Sequence, residues 1–227
     1  MPTRIQYEID KLKKSILSLG AVAEERVAMA VKAVSERDEA LAREVIEGDA
    51  ELDQMEVDLE EECLKVLALH QPVAVDLRFI IAVLKINNDL ERIGDLAVNI
   101  GERAVFLASR PHMTYPLDFS EMAQAVKKIL KHSLDALVNL DVTLAYEVCK
   151  LDDQVDAINR QMYIQVQKTI RKDPDRVESL IHLLNVSRHL ERIADQATNI
   201  AEDVIYMIEG RIIRHKIEED KPLHSPE

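Results

Sequence analysis

The stretch LERIGDLAVNI at residues 90–100 returns one hundred residues later as LERIADQATNI at 190–200. Leu, Glu, Arg, Ile, Asp, Asn and Ile hold the same places in both copies, so the two segments must solve the same folding problem. At about 100° per residue, Leu90, Ile93, Ala97, Ile100, Ala104 and Leu107 form one apolar stripe of a helix. Leu190, Ile193, Ala197, Ile200 and Val204 repeat it. Behind the stripes stand Glu91, Asp95, Asn99 and Glu102 in the first copy and Glu191, Asp195, Asn199 and Glu202 in the second. Packing explains why Leu and Ile recur. It does not explain the carboxylates, because a merely solvated surface accepts many other residues.

The duplication extends along the chain. The spacing predicts a first helix over 3–36, carried by Ile5, Ile9, Leu12, Ile16, Leu19, Ala23, Val27, Ala30 and Val34. Asp38 reads as the N-cap of a second helix reaching about Leu69, with Leu41, Val45, Leu52, Met55, Leu59 and Val66 as its seam. Pro72 ends it, and a third helix runs from about Val75 to Ala108. The two-proline segment SRPHMTYPLD (109–118) then separates the halves. At an offset of 103, Leu19, Val27, Val31 and Val34 meet Met122, Leu130, Leu134 and Leu137, which gives a fourth helix over 118–139. Asp141 repeats the cap, and Leu144, Val148, Val155, Ile158 and Met162 repeat the second seam. Past a turn at 172–175 containing Pro174, the offset falls to 100 and a sixth helix runs from about Arg176 to Ile208, closed by Gly210. The expected fold is therefore all-α, a tandem duplication of an antiparallel three-helix bundle with six helices, forming an elongated pair. Its parts are a first bundle at 1–108, a linker at 109–117, a second bundle at 118–210 and a C-terminal tail at 211–227.

Composition agrees and narrows the function. Five Gly and no Trp in 227 residues, with abundant Ala, Leu, Val, Ile, Glu and Arg, suit an all-helical chain. A net charge of −13 opposes nucleic acid as a partner, whose phosphates need clustered Lys and Arg, and favours cations or basic protein surfaces. The longest apolar run, Phe79 to Leu84, is far below the ~20 residues of a membrane span, and the N-terminus MPTRIQYEID has no apolar signal region. A cytoplasmic location follows as an expectation. Cys63 and Cys149 lack CxxC spacing and read as ordinary helix residues, with no disulfide required.

The offset of 103 also aligns a second acidic pair, Asp49 and Asp53 with Asp152 and Asp156. Short connections make the second and third helices of each half antiparallel neighbours, which would set Asp49 and Asp53 beside Glu91 and Asp95, and Asp152 and Asp156 beside Glu191 and Asp195. Four converging carboxylates repel one another unless a cation is present. Hard oxygen donors suit Mg, Ca or Mn, and iron or zinc would be tolerated. The competing reading is two ordinary solvated faces, since acidic i,i+4 pairs are common on helices.

HQPVAVDLRFIIAVLKINNDLERIGDLAVNI (70–100), the second LERIADQATNI, the duplicated three-helix plan and the closing EGRIIRH (209–215) together resemble the PhoU family of phosphate-specific transport accessory proteins. The resemblance covers nearly the whole chain. It implies that Asp49-x-x-x-Asp53, Glu91-x-x-x-Asp95, Asp152-x-x-x-Asp156 and Glu191-x-x-x-Asp195 correspond to the family's acidic motifs, through which some members bind metal ions such as Mg, Mn, Fe or Zn. The second copy departs from the first in having His189 in place of Asp89 and in lacking the QPVAVDLR segment. A non-enzymatic cytoplasmic regulator, often a homodimer, is the implied function. It would link the ATPase subunit of a phosphate ABC importer to a sensor histidine kinase and hold the phosphate-starvation response off when phosphate is plentiful, associating peripherally with these inner-membrane partners.

Other readings fit the residues less well. Di-iron enzymes built on helical bundles use Glu-x-x-His pairs, and none occurs in this chain. His182 and His189, seven residues apart, read as packing or solvated residues. No Gly-rich phosphate loop or GxSxG is present. Arg78, Lys85 and Arg92 could hold an anion, yet basic residues spaced along an acidic helix usually form surface ion pairs of small value. A metal-storage protein without a role in phosphate control is the remaining alternative.

Overall fold

The computed structural model describes residues 4–110 and 119–211. Every regular element among them is helical: α1 (Arg4–Glu36), α2 (Glu39–Glu47), α3 (Asp49–His70), α4 (Ala74–Ala108), α5 (Ser120–Asn139), α6 (Val142–Lys172), a 3-10 turn (Pro174–Arg176) and α7 (Val177–Glu209). Residues 111–117 of the expected linker, Asp118 at the start of the expected second bundle, and the tail beyond Arg211 lie outside the described residues.

The expected helix from Asp38 to Leu69 is divided at Gly48 into α2 and α3, which makes seven α-helices among the described residues where the pattern predicted six. The division is slight. The Gly48 amide still donates to the Glu44 carbonyl at 3.0 Å, but its own carbonyl accepts from Glu51, one residue short of the α-helical partner, at 3.3 Å. In the second half α6 runs unbroken through Leu151, the position matching Gly48.

The two helix-to-helix corners repeat each other. Arg37 and Leu140 adopt left-handed backbone angles, φ 55° and 52°, and each precedes an aspartate cap. The Asp38 amide donates to Ala33 and the Asp141 amide to Ala136, both at 3.0 Å. The Asp38 carboxylate accepts from the Leu41 amide at 3.0 Å, and that of Asp141 from Thr143 at 3.0 Å and Leu144 at 3.1 Å. Each cap satisfies amides that the first turn of a helix leaves free. Gly210, at φ 70°, closes α7 as its spacing predicts.

The apolar seams meet in one continuous core running through both halves. α4 and α7 pack along each other as the spine, with α1 beside α4 and α5 beside α7. α1 and α5 approach where Gly20 faces Leu134, so closely that a β-carbon on Gly20 would overlap the leucine. Polar contacts pin the spine near both ends. The Lys85 ammonium lies 3.1 Å from Asp203, a carboxylate whose side chain is only 3% exposed, and 4.9 Å from the Tyr206 ring centroid. Arg110 pairs with Glu178 at 2.7 Å, and Phe106 stacks on His182 with centroids 3.6 Å apart. Lys85 was expected in a surface ion pair. The antiparallel packing of α4 on α7 instead places it against a buried partner in the other half.

Candidate metal-binding faces

Asp49 opens α3 and Asp53 follows one turn later, with Leu52 between them turned into the core. Glu91 and Asp95 occupy consecutive turns of α4, with Leu90, Ile93 and Ala97 buried on the opposite side. Asp53 and Asp95 are exposed, whereas Asp49 and Glu91 are half-buried. The two pairs act on each other. Asp49 titrates above its ordinary range, first because of burial, then through repulsion by Asp53 and Asp95, against which Arg26 pulls down. Burial also raises Glu91, followed by Asp95, Glu56 and Asp53, against which Arg92 pulls down. Carboxylates from two helices thus share one face, as the antiparallel neighbour argument requires.

Glu56 belongs to this face and was missed from the sequence. It lies on the same α3 stripe, three residues past Asp53, and that spacing could have revealed it. Burial raises its pKa, with Glu60 and Asp53 adding to the shift. The buried Asn87 amide of α4 donates to the Glu56 carbonyl at 2.9 Å and to its carboxylate at 3.1 Å.

The second face has the same plan on α6 and α7. Asp152 is pushed up to about 7, first by burial and then by Asp195, Asp156, Asp153 and Glu191. Burial raises Glu191, with Asp195 and Asp156 adding and Arg188 and Arg192 opposing. Asp195 is raised by burial and then by Asp156, against Arg192. Asp153 is a further member that the motif spacing does not include. The buried tie between helices is kept with different groups, since the Ser187 hydroxyl donates to the Asn159 amide oxygen at 2.7 Å.

The donor set is chemically suited to a cation: carboxylates only, some half-buried and some exposed, mutually repelling, with the hard oxygen donors that divalent and iron-type ions take. Among the described residues no three His, Cys, Asp or Glu side chains stand gathered closely enough to hold an ion as they are. Closing on an ion would require rotation of side chains such as Asp53, Asp95 and Asp195, all exposed.

The remaining polar candidates are accounted for by packing. His189, pushed down to about 4 by burial and then by Arg103, Arg192 and Arg188, is a neutral half-buried residue at ordinary pH. His182 stacks on Phe106. Cys63 and Cys149 are buried and unbridged, and burial pushes both thiols up to about 12, far from the reactive thiolate range. No helix among the described residues is long and apolar enough to cross a membrane.

Two similar helical units joined along α4 and α7, each with acidic residues on its last two helices, α3–α4 and α6–α7, define a duplicated helical-bundle protein. The PhoU domain model matches the chain twice, over residues 16–104 and 119–204. The phosphate-specific transport system accessory protein PhoU homolog of Aquifex aeolicus is 37% identical over 209 residues, spanning 92% of this chain and 95% of its own. The corresponding Pseudomonas aeruginosa homolog is 35% identical over 209 residues, 92% of this chain and 86% of its own. Among solved structures, PhoU from Pseudomonas aeruginosa superposes with a TM-score of 0.88 at 34% identity, covering 92% of this chain and all of that one. The phosphate transport system regulatory protein PhoU from Streptococcus pneumoniae gives 0.82 at 26% identity, covering 92% and 99%. The chain belongs to the PhoU family.

Proposed function

We propose that this chain is a non-enzymatic negative regulator of the phosphate-starvation response, an adaptor between the ATPase subunit of a phosphate ABC importer and a sensor histidine kinase. The observation that carries the reading is its full-length similarity to relatives named as phosphate-specific transport accessory proteins. The net charge of −13 supports it, since an acidic molecule is suited to dock on basic cytoplasmic surfaces of membrane-bound partners. It acts as a homodimer in the cytoplasm, held peripherally at the inner membrane by those partners. Asp49, Asp53, Glu91 and Asp95, and Asp152, Asp156, Glu191 and Asp195, bind Mg, Mn, Fe or Zn, with Glu56 and Asp153 assisting. The bound cation removes the repulsion within each face and fixes the helix surface presented to a partner.

Deleting the gene is expected to leave phosphate-starvation genes expressed at high phosphate, and normal repression in the deletion strain would remove the regulatory reading. Elemental analysis of protein purified without chelators tests the metal part separately. Metal near stoichiometry, lost when Glu91, Asp95, Glu191 and Asp195 are changed to Ala, is the expected result. Metal retained by that variant would place it elsewhere. Metal lost as expected, but with normal repression in the deletion strain, would point instead to storage.

A further inference from the structure

We propose that the corner between α3 and α4, with the cleft beside it, is a docking surface for an amphipathic segment of a partner protein, apolar on one side and edged with Asp or Glu. The inference rests on the adaptor reading above and assigns one of the adaptor's two contacts.

The corner exposes more apolar surface than a turn needs. Leu69 is 77% exposed, Val73 75% and Val75 61%. Large apolar side chains gathered on a surface mark contact sites, whereas scattered single ones do not. The backbone that displays them is held in an unusual shape. Gln71 and Ala74 have φ of 46° and 49°, in the left-handed region that residues with a β-carbon adopt at a cost, and Pro72 between them has its own φ fixed by its ring. Gly at either place would relieve the cost. The matching corner of the second half has neither feature. Between α6 and α7 stand Asp173, Pro174, Asp175 and Arg176, with Arg176 paired to Asp173 and none of the four in the left-handed region. Apolar display is a property of this one corner, and the duplicated fold does not require it.

Val75 also walls a cleft of about 370 Å³ together with Ile9, Phe79, Leu140 and Ile208, where α1, α4 and α7 meet the turn between α5 and α6. Lys13, Arg78 and Asp76 are its charged lining. Asp76 stands in the first turn of α4, where a carboxylate suits the helix N-terminus. The two cations have no carboxylate partner among the described residues. Lys13 lies 5.6 Å from the Phe79 ring centroid, and the buried Nε of Arg78 has no hydrogen-bond partner. On a chain of net charge −13, an apolar cleft with two cations to one carboxylate is complementary to an acidic segment and not to a basic one. An apolar side chain of the partner fills the cleft, its flanking carboxylates take Lys13 and Arg78, and Val73 and Leu69 cover the rest of its apolar face. The fixed corner holds these side chains in place before binding, which lowers the ordering cost.

The test is the affinity of the full chain for the purified importer ATPase subunit and for the full-length sensor kinase in nanodiscs. V73S/V75S is expected to weaken one of the two by about tenfold or more and to leave the other unchanged. K13E/R78E should weaken the same partner, and K13R/R78K should retain it. Y163S/I164S, an exposed apolar pair on α6, should bind both as the wild type does. Val73 and Val75 lie in solvent, so V73S/V75S should keep the wild-type Tm and homodimer. Wild-type affinity for both partners in V73S/V75S, or in K13E/R78E, would overturn the inference while leaving the adaptor reading intact. Loss of the homodimer in V73S/V75S would make a second copy the occupant, and a lowered Tm shared with a chain cut after Arg211 would make it this chain's own C-terminal segment; each overturns the inference. Binding of neither partner by the wild type would remove the adaptor reading as well.

Discussion

Between α1 and the α2–α3 joint the first half sets a guanidinium against a glycine, while the second half sets an isoleucine and a leucine at the matching places. The backbone differs at the same place, with a break at Gly48 in one half and an unbroken α6 in the other. The carboxylates respond as well. Asp49 has Arg26 opposing its upward shift, whereas Asp152, with no such group among its influences, reaches about 7. One ancestral plan has thus kept its seams and caps while its charges diverged. Seams are constrained by packing at every position, and half-exposed charges are not.

Several substitutions would break or sharpen this comparison. The largest effect is expected where the halves meet. Lys85→Met strips the buried Asp203 of its ammonium partner and should cost about 3 kcal/mol in urea denaturation. Arg103, which occupies on α4 the place of Asp203 on α7, pairs among the described residues with its exposed neighbour Glu102 at 3.2 Å, so Arg103→Met should cost less than about 1 kcal/mol. Similar losses for the two would show that the spine is pinned symmetrically after all.

Next comes the joint itself. Gly48→Leu must move the far end of the flexible Arg26 side chain and should cost at most about 1 kcal/mol, with much of the loss recovered in R26I/G48L. Additive effects in that pair would separate the glycine from the arginine. The capping aspartates should behave alike, Asp38→Ala and Asp141→Ala each costing about 1 kcal/mol by thermal denaturation.

The smallest effect depends on pH. With a folded pKa near 7 against an ordinary 3.8, Asp152 binds more protons in the folded state across that interval. Its contribution to stability therefore falls as pH rises from about 4 to about 7, and above that the full penalty of the buried charge is present. In chelated protein Asp152→Asn should raise stability at pH 8 by at most about 1 kcal/mol once solvent screening is allowed for, or roughly 2–4 °C in Tm. The gain should vanish below about pH 4. A gain independent of pH would assign it to packing, and excess Mn2+ should turn the gain at pH 8 into a loss.

Read along the chain, periodicity and punctuation determined most of this fold. Ile9 through Val34, Leu90 through Leu107 and Leu190 through Val204 were legible as seams because a helix buries every third or fourth residue, whatever it packs against. Asp38, Asp141 and Gly210 were legible as ends because capping is local chemistry. The acidic pairs were legible because the chain states them twice. The break at Gly48 was not, since one glycine in a helix lowers its stability without dictating a stop, and the guanidinium beside it comes from twenty-two residues upstream. Lys85 against Asp203 joins residues 118 apart, and no local period relates them. The places of Glu56 beside Glu91, and of Asp153 beside Asp152, were likewise set by how the helices face one another. The sequence by itself determined which surfaces are apolar and which are acidic, because both follow from helical geometry. Which charge stands next to which was decided only when the helices packed, because electrostatic pairing depends on distance through space and on the water that packing removes.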